Sequence, residues 1–210
     1  DDEVTALMDS REVYFVPIVN PDGSEYNRQT NPNGGGMGRK NRRNNGGSYG
    51  VDPNRNYPYE WGGSGSSPDP TSETYRGPSP GSEPCIQSLM SFINSQEFVT
   101  HNSIHTYSNL TLYPWGYTST DTPDGSTFVT MGEMMTMYNG YEPGQPPELL
   151  YGVNGGANDW VYGAQDEHNK CFSFCNEIGS YSDGFWPEDS RRQALFDENV
   201  WPAIYLMQVA

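Results

Sequence analysis

From Asn20 to about Gly81 the chain is mostly Gly, Asn, Ser, Pro and Arg, and it reads as about sixty residues without regular structure. Connections inside compact domains are normally short, and one of this length is more often functional than a spacer. It is bracketed by two stretches that do read as regular. Residues 12–19 (EVYFVPIV) are a short apolar run rich in β-branched and aromatic residues, which predicts a buried strand. Ser82–Gln96 reads as a helix, with Ser82 as N-cap, Glu83 and Pro84 in the first turn, and Cys85, Leu89, Phe92 and Ile93 on one apolar face. The whole chain has 210 residues, enough for one domain with a real core and no need of disulfides or metal to fold. Its 24 Gly and 17 Pro fall below the level that signals disorder, and 15 Tyr, 8 Phe and 5 Trp argue for a packed interior.

The remaining pattern alternates helices with apolar strands. Residues 3–9 look like the end of a helix, 98–105 and 109–113 like strands, and 125–139 like a Met-rich helix whose Phe128, Met131, Met134, Met135 and Tyr138 form a packing stripe. A short helix over 156–164, a strand over 171–178 and a last helix from about Asp189 to Met207 follow. There is no internal repeat. The expectation is an α/β layer architecture in a single domain spanning residues 1–210. Eleven Lys and Arg against 27 Asp and Glu give a net charge of −16, which argues against a general nucleic-acid binder. No run of 18 apolar residues occurs, so no membrane span is expected, and Asp1-Asp2-Glu3 does not resemble a signal peptide. Cys85, Cys171 and Cys175 are too few for a disulfide scaffold; buried small residues, or one disulfide and one free thiol, both fit.

Three groups of residues carry potential chemistry. Arg39, Lys40, Arg42 and Arg43 cluster within five positions of an acidic chain, with Arg55 close behind, and read either as an anion site or as a solvated charge run. His101, Ser103 and His105 share one face of a predicted strand, an arrangement more often structural than ligating. In residues 171–178, alternation places Ser173, Cys175 and Glu177 on one face and Phe172, Phe174 and Asn176 on the other. Glu177, at the end of a buried strand, is either a general base raised towards neutrality by desolvation or a surface carboxylate.

The strings VNPDG, GRKNRR, GVDPNRNY, GSSPDPTSETYRGPSPGSEPC, SIHTYSNLTLYPWGYT, YGVNGGANDW and FCNEIG occur in that order. Together they resemble the zinc metallocarboxypeptidase family of the pancreatic digestive carboxypeptidases and their bacterial relatives, from about Glu3 to the C-terminus. The resemblance implies a carboxypeptidase-like α/β fold, a mixed twisted central sheet flanked by helices, and zinc-dependent removal of the C-terminal residue from peptides. It makes His105 a zinc ligand, Arg39 the group that polarises the scissile carbonyl and stabilises its oxyanion, and Glu177 the general base. Asn54 and Arg55 would bind the terminal carboxylate of a peptide or protein substrate. Tyr151 would close over the bound substrate, and Asn158 would lie at the base of the side-chain pocket. An uncharged Asn158 implies a broad preference, with no strict basic selectivity. The resemblance also implies a secreted, extracellular protein binding one zinc ion. The family's other two zinc ligands belong to an H-x-x-E motif, and no histidine precedes His101. Those ligands are expected upstream, so that this chain alone would be inactive and the upstream segment of the same domain would be its partner. A peptide C-terminus binder without zinc and a peptidase acting on cell-wall peptides are the alternatives.

Overall fold

The two segments of the second half that end at His105 and Glu177 pair with each other. A computed structural model describes residues 2–210. Four strands, β1 (Thr100–His105), β2 (Leu110–Leu112), β3 (Glu142–Gly144) and β4 (Phe172–Glu177), form one sheet in the order β1-β4-β2-β3. β1 runs parallel to β4, β2 antiparallel to β4, and β3 parallel to β2, so the sheet is mixed. Around it stand α1 (Asp2–Ser10), α2 (Pro21–Thr30), α3 (Pro84–Asn94), α4 (Gly125–Thr136), α5 (Pro146–Leu149), α6 (Ala157–Gly163) and α7 (Arg192–Val209).

Two larger apolar clusters, and a smaller one of Leu110, Leu112 and Cys175, pack these elements together. In one, Phe128, Met131 and Met135 of α4 meet Phe174 of β4, Tyr162 of α6, and Tyr205 and Leu206 of α7. Most of the expected stripe is therefore core, with Met134 partly buried against it, but Tyr138 lies beyond the end of α4 and is 71% exposed. In the other, Ile86 and Ile93 of α3 pack on Trp160 and Val161 of α6 and on Cys171. All three cysteines are free. No helix of the described residues is long and apolar enough to cross a membrane.

Three sequence expectations need correction. Residues 12–19 form no strand; their backbone is irregular and Phe15 is 79% exposed. A strand needs a paired neighbour for its N–H and C=O groups, and Pro17 removes a donor in the middle of the run. Tyr14 anchors the run, edge-on against Phe92 and Phe98. Second, the Asn20–Gly81 stretch contains α2. Asn20 caps it by accepting from the Gly23 N–H, Pro21 fixes its first turn, and Asp22 complements its N-terminal dipole. Third, α3 begins at Pro84 with Glu83 in the cap position, while the Ser82 hydroxyl donates to the Glu83 carboxylate. Its innermost side chains are Ile86 and Ile93, with Cys85 and Leu89 only partly covered.

The rest of that stretch is ordered by polar side chains. Asn41 receives the Val51 N–H and donates to Glu83, which also receives Arg43. Asn56 donates to the Arg76 and Ser79 carbonyls and accepts from the Glu83 N–H. Such bonds serve buried backbone groups that no ladder reaches.

Candidate active site

The β1–β4 register sets His105 directly beside Glu177 and Ser103 beside Cys175. Side-chain alternation then brings His105, Cys175 and Glu177 to one face, where their donor atoms lie within 4.8 Å of one another. His105 Nδ1 is 3.9 Å from Glu177 Oε1. Burial lowers the His105 pKa to about 4, helped by the Arg39 charge, so its imidazole is neutral near pH 7. Burial raises the Glu177 carboxyl to about 7, with Arg39 and Arg55 pulling it back down.

The two arginines arrive from the irregular half of the chain. Asp52 is buried in a D-P-N turn, where one of its oxygens accepts the Asn54 N–H at 3.0 Å. Its other oxygen takes Arg39 Nε at 2.8 Å and lies 3.9 Å from Arg55 Nη1. Arg55 is 2% exposed, and donates to the Gly65 and Asn54 carbonyls. Burial works against both guanidinium charges. Asp52 more than offsets it at Arg39, whose pKa rises, and offsets it only in part at Arg55, whose pKa falls. A guanidinium stays protonated in either case. Asp52 is thus the group that fixes both cations, and sequence reading assigned it no role; its signal was the aspartate opening the D-P-N turn.

Asn54 Oδ1 accepts the Ala157 N–H at 2.9 Å, tying this turn to the start of α6. Its amide nitrogen makes no hydrogen bond among the described residues. Tyr151 is 56% exposed, on the loop leading to α6, and near enough to Arg39 and Arg55 to act on their ionisation. The loop itself is anchored beyond Tyr151. Asn154 bridges Gly65 and Glu60, and the carbonyl of Gly155, a residue at φ +68°, accepts the Tyr57 N–H. A Cβ on Gly155 would sit 2.5 Å from the Arg55 carbonyl, so only glycine lets the two segments meet.

Asn158 faces β4. With its amide oriented to satisfy both ends, Nδ2 donates to Ser173 Oγ and the Phe174 carbonyl, and Oδ1 accepts from the Cys175 N–H. The Ser173 hydroxyl also meets His101 Nδ1 at 2.9 Å, so His101 belongs to this bracing network and not to the cluster at His105. The structure therefore brings these residues near one another: Arg39, Asn54 and His105 line one groove, Glu177 stands beside His105, and Arg55 and Tyr151 lie within electrostatic reach of Arg39, while Asn158 is braced against β4. The arrangement combines a desolvated carboxyl, a neutral imidazole and two fixed cations, a set suited to binding a carboxylate and activating a water.

Comparison with known proteins gives the family. The model of the zinc carboxypeptidase family Peptidase_M14 matches residues 1–200. Carboxypeptidase A1 of Rattus norvegicus is 37% identical over 171 residues, covering 77% of this chain and 40% of the relative. A zinc carboxypeptidase of Saccharothrix mutabilis subsp. capreolus is 38% identical over 198 residues, covering 88% and 44%. Among solved structures, bovine thrombin-activatable fibrinolysis inhibitor in complex with tick carboxypeptidase inhibitor superposes with a TM-score of 0.86 at 25% identity, over 99% of this chain and 74% of that one. The chain thus spans about two fifths of the length of the curated relatives it matches. With a family match along nearly all its residues and the same fold, it belongs to the zinc carboxypeptidase family.

Proposed function

We propose that this chain forms the substrate-binding and proton-transfer side of a zinc-dependent exopeptidase that removes the C-terminal residue from peptides. One observation carries the reading: a single buried carboxylate, Asp52, holds Arg39 and Arg55 beside the desolvated Glu177.

One donor fits zinc. His105 is neutral and half-buried, and a neutral imidazole is a usual zinc ligand, whereas burial holds the neighbouring Cys175 as a thiol. His105 would hold the ion. When bound, zinc supplies an acidified water and polarises a carbonyl. The chain's own residues do the rest. Asn54 Nδ2, Arg55 and the Tyr151 hydroxyl receive the free carboxylate through charge-assisted hydrogen bonds, which places the last peptide bond at Glu177. Glu177 takes the proton of the attacking water as its oxygen bonds to the scissile carbon. As the C–N bond breaks, it returns that proton to the leaving amine. Arg39, kept charged by Asp52, stabilises the negative oxygen that forms between these steps. Asn158 walls the pocket with an uncharged side chain, in keeping with a broad preference. An extracellular location belongs to the same reading.

The test is the preference for a free C-terminus. In the zinc-loaded full gene product, Arg55→Ala should weaken binding of free-acid peptides about 10- to 150-fold, as expected for a lost charged hydrogen bond. Binding of the matching C-terminal amides should change little. An unchanged ratio between acid and amide would overturn the proposal.

A further inference from the structure

The chain has eleven Lys and Arg side chains. Ten of them donate at least one hydrogen bond to an oxygen within the protein. Arg42 alone, among the described residues, donates none and joins no ion pair, although 27 carboxylates are present. It is nevertheless held in place. Its Cζ lies 4.0 Å from the centre of the Tyr26 ring and 4.9 Å from that of Tyr49. Contact with aromatic rings orients a guanidinium through its face and leaves the N–H fork at its edge free.

This clamp is built by both neighbouring segments. Tyr26 stands on α2, which is locked to the residues before Arg42 by a two-way bond: Gly38 N–H donates to Asn27 Oδ1 at 2.7 Å, and Asn27 Nδ2 donates to the Gly38 carbonyl at 3.1 Å. A Cβ at Gly38 would come within 2.9 Å of the Tyr26 ring, so glycine at this position lets the tyrosine approach. Tyr49 is set by the bridge it forms with Asn44. Arg42, Arg39, Asn54 and His105 line one continuous groove. Glu73 lines it too, without pairing with Arg42.

We propose that Arg42 is a specificity-determining residue that binds the side-chain carboxylate of an Asp or Glu lying upstream of the scissile bond. The inference rests on the exopeptidase reading above. There the terminal residue occupies the buried Asn54–Arg55 end, and the preceding residues run along the open groove where Arg42 stands. A fixed fork with no internal acceptor matches a carboxylate in two-point geometry. The protein's net charge of −16 repels acidic peptides at long range, so the preference must arise from a close contact of this kind.

The experiment uses the zinc-loaded full gene product and peptides whose scissile amide is N-methylated, with binding followed by fluorescence anisotropy. One residue, Glu or Gln, is placed in turn at the second to fifth positions from the C-terminus. At one position the wild type should favour Glu by about threefold to tenfold, within the range of a partly exposed but well-oriented ion pair. Arg42→Gln should bring that ratio to about one. Arg42→Lys, which keeps the charge and loses the fork, should fall between them, and thermal unfolding confirms that each variant is folded. A Glu/Gln ratio that survives Arg42→Gln, or a wild type without a Glu preference at any position, would overturn the inference. Failure of the exopeptidase reading shows separately, as a loss of discrimination between free-acid and amidated forms of the same peptides.

Discussion

Residues 36–83 and residues 100–209 supply one candidate site but are held together by different contacts. The second region contains the whole sheet and the helices α4 to α7, closed by an aromatic core in which Phe128 contacts Tyr113, Tyr162, Phe172 and Phe174. The first has little regular structure beyond one 3₁₀ turn at Pro53–Arg55, and is fixed by buried Asn41, Asp52, Asn56 and Glu83. Area burial is non-directional, whereas each buried polar side chain demands particular partners. The sheet half should therefore tolerate changes of shape that keep volume, and the loop half should not. The division also suits function. His105 and Glu177 stand on paired strands, while the guanidinium groups that would meet substrate charge hang from backbone that had to be irregular to place them.

The largest effect is expected in the aromatic half. Phe128→Ala should cost about 3–5 kcal/mol in urea unfolding, because the fully buried ring leaves a cavity. Phe128→Leu should cost only about 1–2 kcal/mol, since an apolar side chain of nearly the same size remains. Equal losses for the two would mean that this core is as directional as the loops.

A polar exception sharpens the contrast. Asp159, buried at the start of α6, takes the Gly116 N–H at 2.8 and 3.0 Å. Burial raises its pKa from 3.8 to about 7, against the backbone N–H groups that favour the anion. Between those two values the folded state holds a proton that the unfolded state has lost, so this group's contribution to stability falls as pH rises. The total change is bounded by roughly 4 kcal/mol for about three pK units, and solvent access reduces it. Asp159→Asn keeps the shape and an acceptor for Gly116. Relative to this variant, the wild type should lose stability between pH 4.5 and pH 8. Parallel pH profiles would show that Asp159 keeps its ordinary pKa.

Legibility in the sequence followed the same division. β1, β4, α4, α6 and α7 were expected within a few residues of where they lie, β4 and α4 on the spacing of their apolar residues. β3 (EPG) and α5 (PPEL) are too short to show a period, and α2 has Asn20 and Pro21 as its signal amid a Gly- and Asn-rich background. Residues 12–19 have the composition of a strand but no paired neighbour, so local preference misled. At the site, alternation placed Cys175 and Glu177 together, and motif resemblance singled out Arg39, Asn54, Arg55, Tyr151 and Asn158. The role of Asp52 was hidden, because a buried carboxylate that bridges two cations is a property of the folded chain.

The smallest and most diagnostic effect lies at Asn56, which is fully buried in the loop half. Its Nδ2 donates to the Arg76 carbonyl, the Ser79 carbonyl and Ser82 Oγ, and its Oδ1 accepts from the Glu83 N–H. Asn56→Leu removes all four bonds while nearly preserving volume. Three of the partners keep another: Arg76 O retains the Trp61 indole N–H, Ser79 O retains the Ser82 N–H, and Ser82 Oγ still donates to Glu83. Only the Glu83 N–H is orphaned, and one unsatisfied buried donor costs about 1–3 kcal/mol. Asn56→Asp separates the two halves of the amide. It restores the acceptor for the Glu83 N–H, but sets a second carboxylate near that of Glu83 and loses the donors. If the orphaned N–H dominates, Asn56→Asp should be the more stable of the two variants at low pH, where the added carboxyl is protonated, and should lose that advantage as pH rises through its pKa. If Asn56→Leu unfolds at the wild-type urea midpoint, directional bonding does not set the stability of the loop half. The contrast with Phe128 would then reduce to the depth of burial.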